Sequence, residues 1–343
     1  MKVNTKEFLN ILRLLKPGVA HKEIINQAQH FLFTENTISS YNDKIFISHY
    51  FEHPFNCSVK AEDLYNLISS ITNEEIELEM KDNQFLVTSK NTKSGFASFS
   101  EGDLFEIINK LNNDYSTLDW KSLPEDFIQG LSICMFSVSK DSMKGVLSGI
   151  SVNKEGIISS DDYRITKYQL NETINDSFIL PLSSAIELIN FSITKYAITE
   201  SWAHFLTDTK VRFSVRLLTG DYPDVSEYLS MNEKPKTELK FPEKTNELIR
   251  HLSTMTEGDT VIEKKLQVVL ENKTATFGVE KKGLFWAKKD IPIDYFDEKL
   301  TFLVNPVFFY QVLEKDVIMK VYENQATFEA DNFFHLFSLP VGE

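Results

Sequence analysis

One short pattern occurs three times along the chain, and it restricts the fold more than any other feature of the sequence. The three copies cover residues 59–68, 180–189 and 304–313. Each copy begins with an apolar residue and a polar or turn segment. It then places apolar residues at the i, i+3, i+4 spacing of a short helix with one buried face. Such a repeat predicts a chain built from three copies of one supersecondary unit.

The stretch that follows each predicted helix is also repeated. It contains short segments in which apolar and polar residues alternate, separated by turn residues such as those at 81–83. This alternation is typical of antiparallel strands with one face in water. The predicted strands are 76–80, 84–88 and 96–99 in the first copy, 196–199, 204–207 and 211–217 in the second, and 317–321, 326–329 and 334–339 in the third.

A second amphipathic helix is predicted ahead of each copy, over residues 5–16, 140–148 and 244–255. Any α+β protein has short helices between hairpins, but the same order at similar intervals favours a true repeat. The predicted fold class is therefore α+β, with three repeated domains that each pack two helices on antiparallel sheets. The predicted domains are 1–117, 118–234 and 235–343, joined by polar linkers that contain proline.

The composition is that of a globular protein, with 42% apolar and 25% charged residues. The two cysteines, Cys57 and Cys134, have no metal or redox spacing, which favours a reducing cytoplasm over secretion. The first 18 residues predict an amphipathic helix, because charges interrupt their apolar stretch, as they would not in a signal peptide. No apolar run approaches the roughly 20 residues of a membrane span, so no membrane partner is expected.

The sequence has none of the common catalytic motifs. It lacks a glycine-rich phosphate loop, and it contains no HExxH, CxxC or GxSxG pattern. The seven histidines stand at no metal-ligand spacing. The pair Asp161–Asp162 resembles half of a metal site, but paired acids in a turn are far more often only a turn. We therefore expect no catalysis, no cofactor and no metal.

One longer segment, residues 140–168, resembles the middle domain of the bacterial sliding clamp, the β subunit of DNA polymerase III. In that family a strand leads into Thr-Asp-Gly-His-Arg-Leu, and the corresponding run here is 160–165. Residues 178–181 resemble the strand that precedes the second helix of that domain. Residues 220–224 resemble the family's Gly-x-Phe-Pro-Asp signature, and 337–341 resemble its closing Val-Met-Pro-Met.

The resemblance implies a processivity factor that acts in DNA replication in the cytoplasm. In the family, two three-domain chains join head to tail as a homodimer and form a ring of six similar units around a hole lined by helices. By resemblance, a strand near Phe96 and Phe99 would meet the third domain of the other chain. The implied partners are double-stranded DNA, held without sequence preference, a DNA polymerase and an ATP-dependent clamp loader.

The net charge of −14 argues against a protein that grips phosphates, because such proteins carry basic patches. A ring holds DNA by enclosure, however, and a mildly positive hole inside an acidic shell would suffice. The other interpretation is that the cations on the inner helices are ordinary solvated side chains. The predicted DNA-facing residues are Arg13, Lys16, Lys22, Lys140, Lys144 and Arg250.

Members of the family bind linear peptides of polymerases and loaders in an apolar pocket beside the C-terminus. Two positions depart from the family pattern: Asp162 replaces a glycine, and Glu227 stands where a basic residue is common. Leu339 is expected to be exposed, whereas core packing is the competing interpretation for Leu147 and Ile165. Carried over by resemblance, the lining would be Leu147, Ser160, Asp162, Tyr163, Arg164, Ile165, Pro223, Tyr228, Phe337, Leu339, Pro340 and Val341.

Three other interpretations stay open at the level of the sequence. The chain could form a different ring, such as a trimer, or a clamp-like fold without closure. It could be a multi-domain α+β enzyme whose site is built from scattered residues. It could also be a structural protein with repeated β-rich domains. The host, the polymerase and the preferred peptide motif do not follow from the sequence.

Overall fold

The computed structural model describes residues 1–22, 25–115, 117–230, 233–256, 263–281, 284–315 and 318–339. The α-helices in these ranges are α1 Thr5–Leu15, α2 Ala61–Ser70, α3 Asp103–Tyr115, α4 Phe127–Cys134, α5 Leu182–Leu188, α6 Ser226–Leu229, α7 Thr245–Ser253 and α8 Pro306–Val312.

The strands of the first half are β1 Lys2–Asn4, β2 His30–Thr34, β3 Thr37–Tyr41, β4 Ile45–Tyr50, β5 Cys57–Lys60, β6 Glu75–Lys81, β7 Gln84–Thr88, β8 Lys93–Phe99, β9 Lys121–Ser122, β10 Gly149–Asn153, β11 Gly156–Ser160 and β12 Arg164–Tyr168. Those of the second half are β13 Phe178–Pro181, β14 Ile193–Ile198, β15 Trp202–Thr207, β16 Val211–Arg216, β17 Thr237–Leu239, β18 Leu266–Glu271, β19 Thr274–Lys281, β20 Phe285–Pro292, β21 Leu300–Val304, β22 Ile318–Val321, β23 Gln325–Ala330 and β24 Phe333–Ser338.

The predicted repeat is confirmed at the level of its elements. The three predicted copies contain the helices α2, α5 and α8. Each of these helices is followed by a three-stranded antiparallel meander, namely β6–β8, β14–β16 and β22–β24. The first residue of the predicted strand 317–321 lies outside the described residues. The fold class is α+β with antiparallel sheets, as the sequence predicts.

The chain forms two compact units, one made of Met1–Phe127 with Phe178–Thr219 and the other of Ile128–Ser177 with Gly220–Glu343. In the first unit, one sheet of twelve strands runs in the order β1-β6-β7-β8-β5-β2-β3-β4-β16-β15-β14-β9. The antiparallel pair β4–β16, in which Ile47 lies opposite Phe213, joins strands of the first and second thirds of the chain. The division into three domains stays a prediction beside these two units.

The helices of the first unit lie on this sheet through apolar faces. Phe8, Leu12 and Leu15 of α1 are fully buried at the i, i+4, i+7 spacing of one helix face. The side chain of Asn4 accepts hydrogen bonds from the backbone N–H groups of Lys6 and Glu7 and so caps the helix. The predicted helix 5–16 is thereby confirmed. On α3, a stripe of buried side chains packs against Leu32, Tyr41 and Phe46 of the sheet; it consists of Leu104, Phe105, Ile108 and Leu111.

In the second unit, one sheet contains the strand order β10-β11-β12-β24-β23-β22-β17, and a separate sheet has the order β20-β19-β18-β21. Helices α7 and α8 pack against each other. Asn305 caps α8 by accepting from the N–H groups of Val307 and Phe308, and Pro306 occupies the first helical position. The predicted helix at 244–255 is confirmed as α7, which ends at Ser253.

The prediction of a helix over 140–148 is wrong. Residues Ser142–Ser148 form short 3-10 turns, and Gly145 breaks them with φ 56° and ψ −122°. The residues from Lys140 to Gly145 are all exposed, so this segment has no apolar face to bury. The helix lies earlier, at α4, whose side chains Phe127, Leu131 and Cys134 are fully buried. The predicted DNA-facing residues Lys140 and Lys144 are therefore not on an α-helix.

A buried histidine gives the first unit a pH-dependent stability. His204 on β15 is 2% exposed, and its Nδ1 lies 2.8 Å from Ser214 Oγ. Burial, and to a smaller extent the positive charge of Arg212, lower the pKa of His204 to about 4. The unfolded chain, with an ordinary histidine pKa near 6.5, binds more protons than the folded chain between these values. This contribution to stability is complete above pH 6.5 and is lost as the pH falls toward 4.

We expect the free energy of unfolding to fall by about 2 kcal/mol from this residue alone between pH 7.5 and pH 5. The variant His204→Gln retains a polar side chain but cannot titrate, so its stability should depend less on pH by that amount. Urea unfolding at the two pH values measures both quantities. An equal pH dependence in the two proteins would contradict the assignment.

Candidate functional site

The loop between β11 and β12 is a tight turn built on Asp161. The carboxylate of Asp161 accepts from the backbone N–H groups of Tyr163 and Arg164 at 2.9 and 3.1 Å. The backbone N–H of Asp161 in turn donates to the carbonyl of Arg164. The paired acids Asp161 and Asp162 thus lie in a turn, as the sequence favours, and the side chains of Asp162 and Tyr163 are exposed.

Arg164 is the buried charge of this region, and its side chain is 6% exposed. Its Nε donates to Asp161 Oδ2 at 3.0 Å, and Nη1 donates to Gln311 Oε1 on α8 at 3.0 Å. The guanidinium carbon lies 4.0 Å from the ring centroid of Phe308. Burial lowers the pKa of Arg164, and the Asp161 charge opposes that shift. The guanidinium is thus held by one ion pair, one amide and one aromatic face.

The segment 220–229, which follows the second repeat, packs against the strands that flank the same loop. The hydroxyl of Tyr222 accepts from the N–H of Ser160 at 2.8 Å, and burial raises the pKa of this tyrosine. Val225 packs against Ile158 and Ile165, with Tyr222 and Leu229 at the margin. We call this group of five side chains the apolar floor: Ile158, Ile165, Tyr222, Val225 and Leu229.

The structure brings many of the predicted peptide-contacting residues together around the apolar floor. Tyr163 and Tyr228 are 38% and 57% exposed, and Pro223 is exposed as well. Ser160 and Ile165 are nearly buried, and Leu147 is half-buried. Pro340 and Val341 lie outside the described residues.

The C-terminal strand supports this surface from beneath. Phe337 pairs with Arg164 across β12 and β24 and is fully buried against Phe309 and Phe328. The expectation that Leu339 is exposed is wrong: it is 6% exposed, and its N–H donates to the carbonyl of Asn324. Both side chains are core residues, because Phe337 lies within β24 and the bond from Leu339 to Asn324 holds the residue that directly follows this strand.

An ion pair links two predicted residues that the sequence analysis assigned to different roles. Lys144 Nζ lies 2.7 Å from Asp162 Oδ2, with both side chains about half exposed. The positive charge that was predicted to face DNA therefore stands next to the loop that was predicted to contact peptides. The carboxylate that departs from the family's glycine is at the same time partly neutralised.

The other predicted DNA-facing residues are exposed cations on separate elements. Arg13 is on α1, and Lys16 follows it with its Nζ 4.3 Å from the ring centroid of Tyr65. Arg250 is on α7 in the second unit. Lys22 and Lys140 are exposed in loops. Contact of these residues with DNA stays a prediction.

The strand that carries Phe96 and Phe99 has an open side. Among the described residues, β8 pairs with β7 over 93–97 and with β5 only at Val59–Ser98 and Ser58–Phe99. The backbone of 93–97 therefore has a partner strand on one side. Phe99 is 47% exposed, and Phe96 is half-buried.

A second open edge was missed at the level of the sequence. β20 is one of the two outer strands of its sheet; Leu284, which precedes it, and Trp286, near its start, are 72% and 71% exposed. The signal for it was the apolar run 284–286 beside the charged residues 288–290.

Tyr222 and Gln311 were also missed, although Tyr222 stands inside the quoted motif 220–224. No sequence signal connects Gln311 with Arg164, because 147 residues separate them.

Within the described ranges, no group of three or more histidine, cysteine or carboxylate side chains is arranged to hold a metal ion. The helices of these ranges are also too short or too polar to cross a membrane. Both cysteines are free and buried, and burial raises the pKa of Cys57 to about 12. This thiol is therefore not poised as a nucleophile.

Comparison with solved structures identifies the fold as that of bacterial DNA polymerase sliding clamps. The sliding clamp of Pseudomonas aeruginosa superimposes with a TM-score of 0.83 at 14% identity, over 99% of each chain. The clamp of Bacillus subtilis gives 0.83 at 13% identity, over 100% of this chain and 99% of that one. The Helicobacter pylori β clamp bound to a DNA ligase peptide gives 0.81 at 17% identity, over 99% of both chains.

The sequence comparison agrees with the resemblance stated above. The chain is 23% identical over 273 residues to the β sliding clamp of Chlamydia muridarum (strain MoPn / Nigg). The match covers 75% of this chain and 71% of that protein. No protein-family profile matches the sequence.

The bond between Ser160 and Tyr222 is a testable element of the site. We expect Tyr222→Phe to lower the free energy of unfolding by about 1–3 kcal/mol, because it leaves the Ser160 N–H without its acceptor. Tyr228→Phe is the matched control, since its side chain is 57% exposed and its hydroxyl can bind water. Urea unfolding of the two variants measures the difference, and equal stabilities would contradict this role of Tyr222.

Proposed function

We propose that this protein is a DNA sliding clamp, a non-catalytic processivity factor. In this proposal two copies close into a ring around duplex DNA, and the ring tethers a polymerase through linear peptides. The observation that carries the proposal is the extent of the fold similarity. It spans 99% or more of this chain and 99% of the solved clamps, so the elements needed at both ends of a ring protomer are present.

The two open strand edges support ring closure. β8 in the first unit has unpaired backbone over 93–97 among the described residues, and β20 is an outer strand of the second unit. Addition of β20 from one copy to β8 of the other would satisfy these backbone groups. It would also cover the exposed Phe99, Leu284 and Trp286. Because the two edges differ, the contact is heterologous, and it gives a closed ring when the rotation between copies closes.

The net charge of −14 fits enclosure better than adhesion. A protein that binds DNA through many phosphate contacts loses affinity steeply with salt, whereas a closed ring remains on the duplex without such contacts. Exposed cations such as Arg13 and Arg250 stand on helices of both units and would suffice for weak, mobile contacts with phosphates.

The surface above the apolar floor is the proposed binding site for peptides of the polymerase and of the clamp loader. It combines exposed aromatic side chains, Tyr163 and Tyr228, with a buried arginine that fixes the loop between them. Surfaces of this kind bind short peptides through apolar anchors. The Helicobacter pylori clamp with its DNA ligase peptide supports a peptide-binding role for the fold.

We expect the protein in solution to have twice the chain mass of 39.5 kDa. The variant Trp286→Lys places a charge at the proposed joint and should shift the protein toward the monomer. The control Ile186→Lys changes a side chain of similar type that is 47% exposed on α5, outside the proposed joint. Light scattering after gel filtration measures the masses. A trimer, or a dimer that Trp286→Lys leaves intact, would contradict this joint.

We expect a ring assembled on DNA to be retained on circles and lost from free ends. Protomers are mixed with circular or linear plasmid at a concentration that favours dimers, treated with an amine-reactive cross-linker and washed in high salt. Cutting the circle with a restriction enzyme should then release the retained protein. Equal loss from circular and linear DNA would refute enclosure.

A further inference from the structure

The exposed aromatic side chains above the apolar floor are surrounded by carboxylates. The segment 220–229 contributes Asp221, Asp224 and Glu227, which are all exposed, and it contains no lysine or arginine. Tyr222, Val225 and Leu229 of this segment belong to the floor and pack against Ile158 and Ile165, whereas the acids between them are exposed. We call the three carboxylates, Asp221, Asp224 and Glu227, the acidic rim.

Two of the three cations near the rim are already engaged in ion pairs. Arg164 is bound to Asp161 at 3.0 Å, and Lys144 is bound to Asp162 at 2.7 Å. Among the described residues, no salt bridge reaches any member of the acidic rim. The three segments that form this surface, 139–148, 160–165 and 220–229, hold six carboxylates and three cations. They are Asp141, Asp161, Asp162, Asp221, Asp224 and Glu227 against Lys140, Lys144 and Arg164.

One carboxylate of the rim is stabilised by hydrogen bonds. Hydrogen bonds from Ser226 lower the pKa of Asp224, with its backbone N–H at 2.9 Å from Asp224 Oδ1. Three like charges beside exposed apolar side chains attract a cationic ligand and repel an anionic one. The same field disfavours phosphates, so this surface is not suited to DNA.

We propose that the peptides bound at this surface carry lysine or arginine next to their apolar anchors. This inference rests on the proposed function and specifies the partner of that same site. The apolar residues of the peptide contact Tyr163, Tyr228 and the margin of the floor, and its cations pair with the acidic rim. Charge complementarity selects this occupant over an acidic peptide, because an acidic peptide would place like charges beside Asp221 and Glu227.

The test uses two synthetic fluorescent peptides that share one core of leucine and phenylalanine. Their flanking residues are lysine in one peptide and glutamate in the other. We expect the full-length protein to bind the lysine peptide at least about tenfold more tightly, which corresponds to one close charge contact near a protein surface. Fluorescence anisotropy at low and at high salt measures the two affinities, and added salt should reduce the difference.

Two variants should reverse the preference. One is the single variant Glu227→Lys, and the other is the double variant that combines Asp221→Lys with Glu227→Lys. They weaken binding of the lysine peptide and strengthen binding of the glutamate peptide, and a misfolded protein could not produce this gain. The matched control is Glu155→Lys, an exposed acid in the turn at the opposite end of β11 from Ser160. It makes the same change in net charge as the single variant Glu227→Lys, at a site about 15 Å from Ser160 along β11, and it should leave the preference intact.

A tenfold preference that reverses in the rim variants and persists in Glu155→Lys supports the proposal. An equal affinity for the two peptides, a preference for the glutamate peptide, or an equal effect of Glu155→Lys would overturn it. Binding of neither peptide would also overturn it. The clamp function is judged separately by the mass in solution and by retention on circular DNA, so either proposal can fail while the other stands.

Discussion

Antiparallel backbone pairing between distant parts of the chain is the interaction on which the rest of this structure depends. In the first unit β4 pairs with β16, so that Ile47 lies opposite Phe213. In the second unit β12 pairs with β24, so that Ile165 lies opposite Leu336. Each pair joins strands that are more than a hundred residues apart in sequence. These pairings convert repeated local motifs into continuous sheets, and they carry the helices and the candidate site.

The candidate site is a direct product of one of these pairings. β12 and β24 meet at Arg164 and Phe337, which places the loop after β11 beside the C-terminal strand. The backbone N–H of Ser338 then donates to the carbonyl of Tyr163 at 2.9 Å, and Arg164 reaches Gln311 on α8. A buried guanidinium with an ion pair, an amide and an aromatic partner is well positioned to hold such a loop rigid. The backbone that carries the exposed side chains of the loop is thereby held in place.

The charge distribution separates two proposed modes of binding on one acidic protein. Enclosure lets a duplex stay bound without a strong phosphate grip, so the overall charge of −14 does not oppose the proposed clamp function. Peptide binding works by direct contact and is therefore sensitive to local charge. The acidic rim of Asp221, Asp224 and Glu227 would select among peptides in a way that a neutral apolar surface does not.

Apolar spacing in the sequence predicts a helix correctly where the apolar side chains of that segment are buried in the fold. The apolar spacing at 59–68, 180–189 and 304–313 predicted α2, α5 and α8, because a short helix must bury one face wherever it lies. The prediction of a helix at 140–148 is wrong for two physical reasons. Gly145 adopts a positive φ, and none of the side chains at 142–148 is buried. The true helix α4 was missed since it is apolar nearly all round, which removes the amphipathic signal.

The sequence by itself determined the α+β class, the threefold order of helix and strands, and the acidic character of the chain. Only the tertiary structure decided which strands pair across the repeats, that Leu339 and Phe337 are buried, and that Lys144 faces Asp162. The physical reason is the range of the interactions. Helix periodicity and strand alternation act over a few residues, whereas the partners of Arg164 and the open edges of β8 and β20 are set by contacts between segments far apart along the chain.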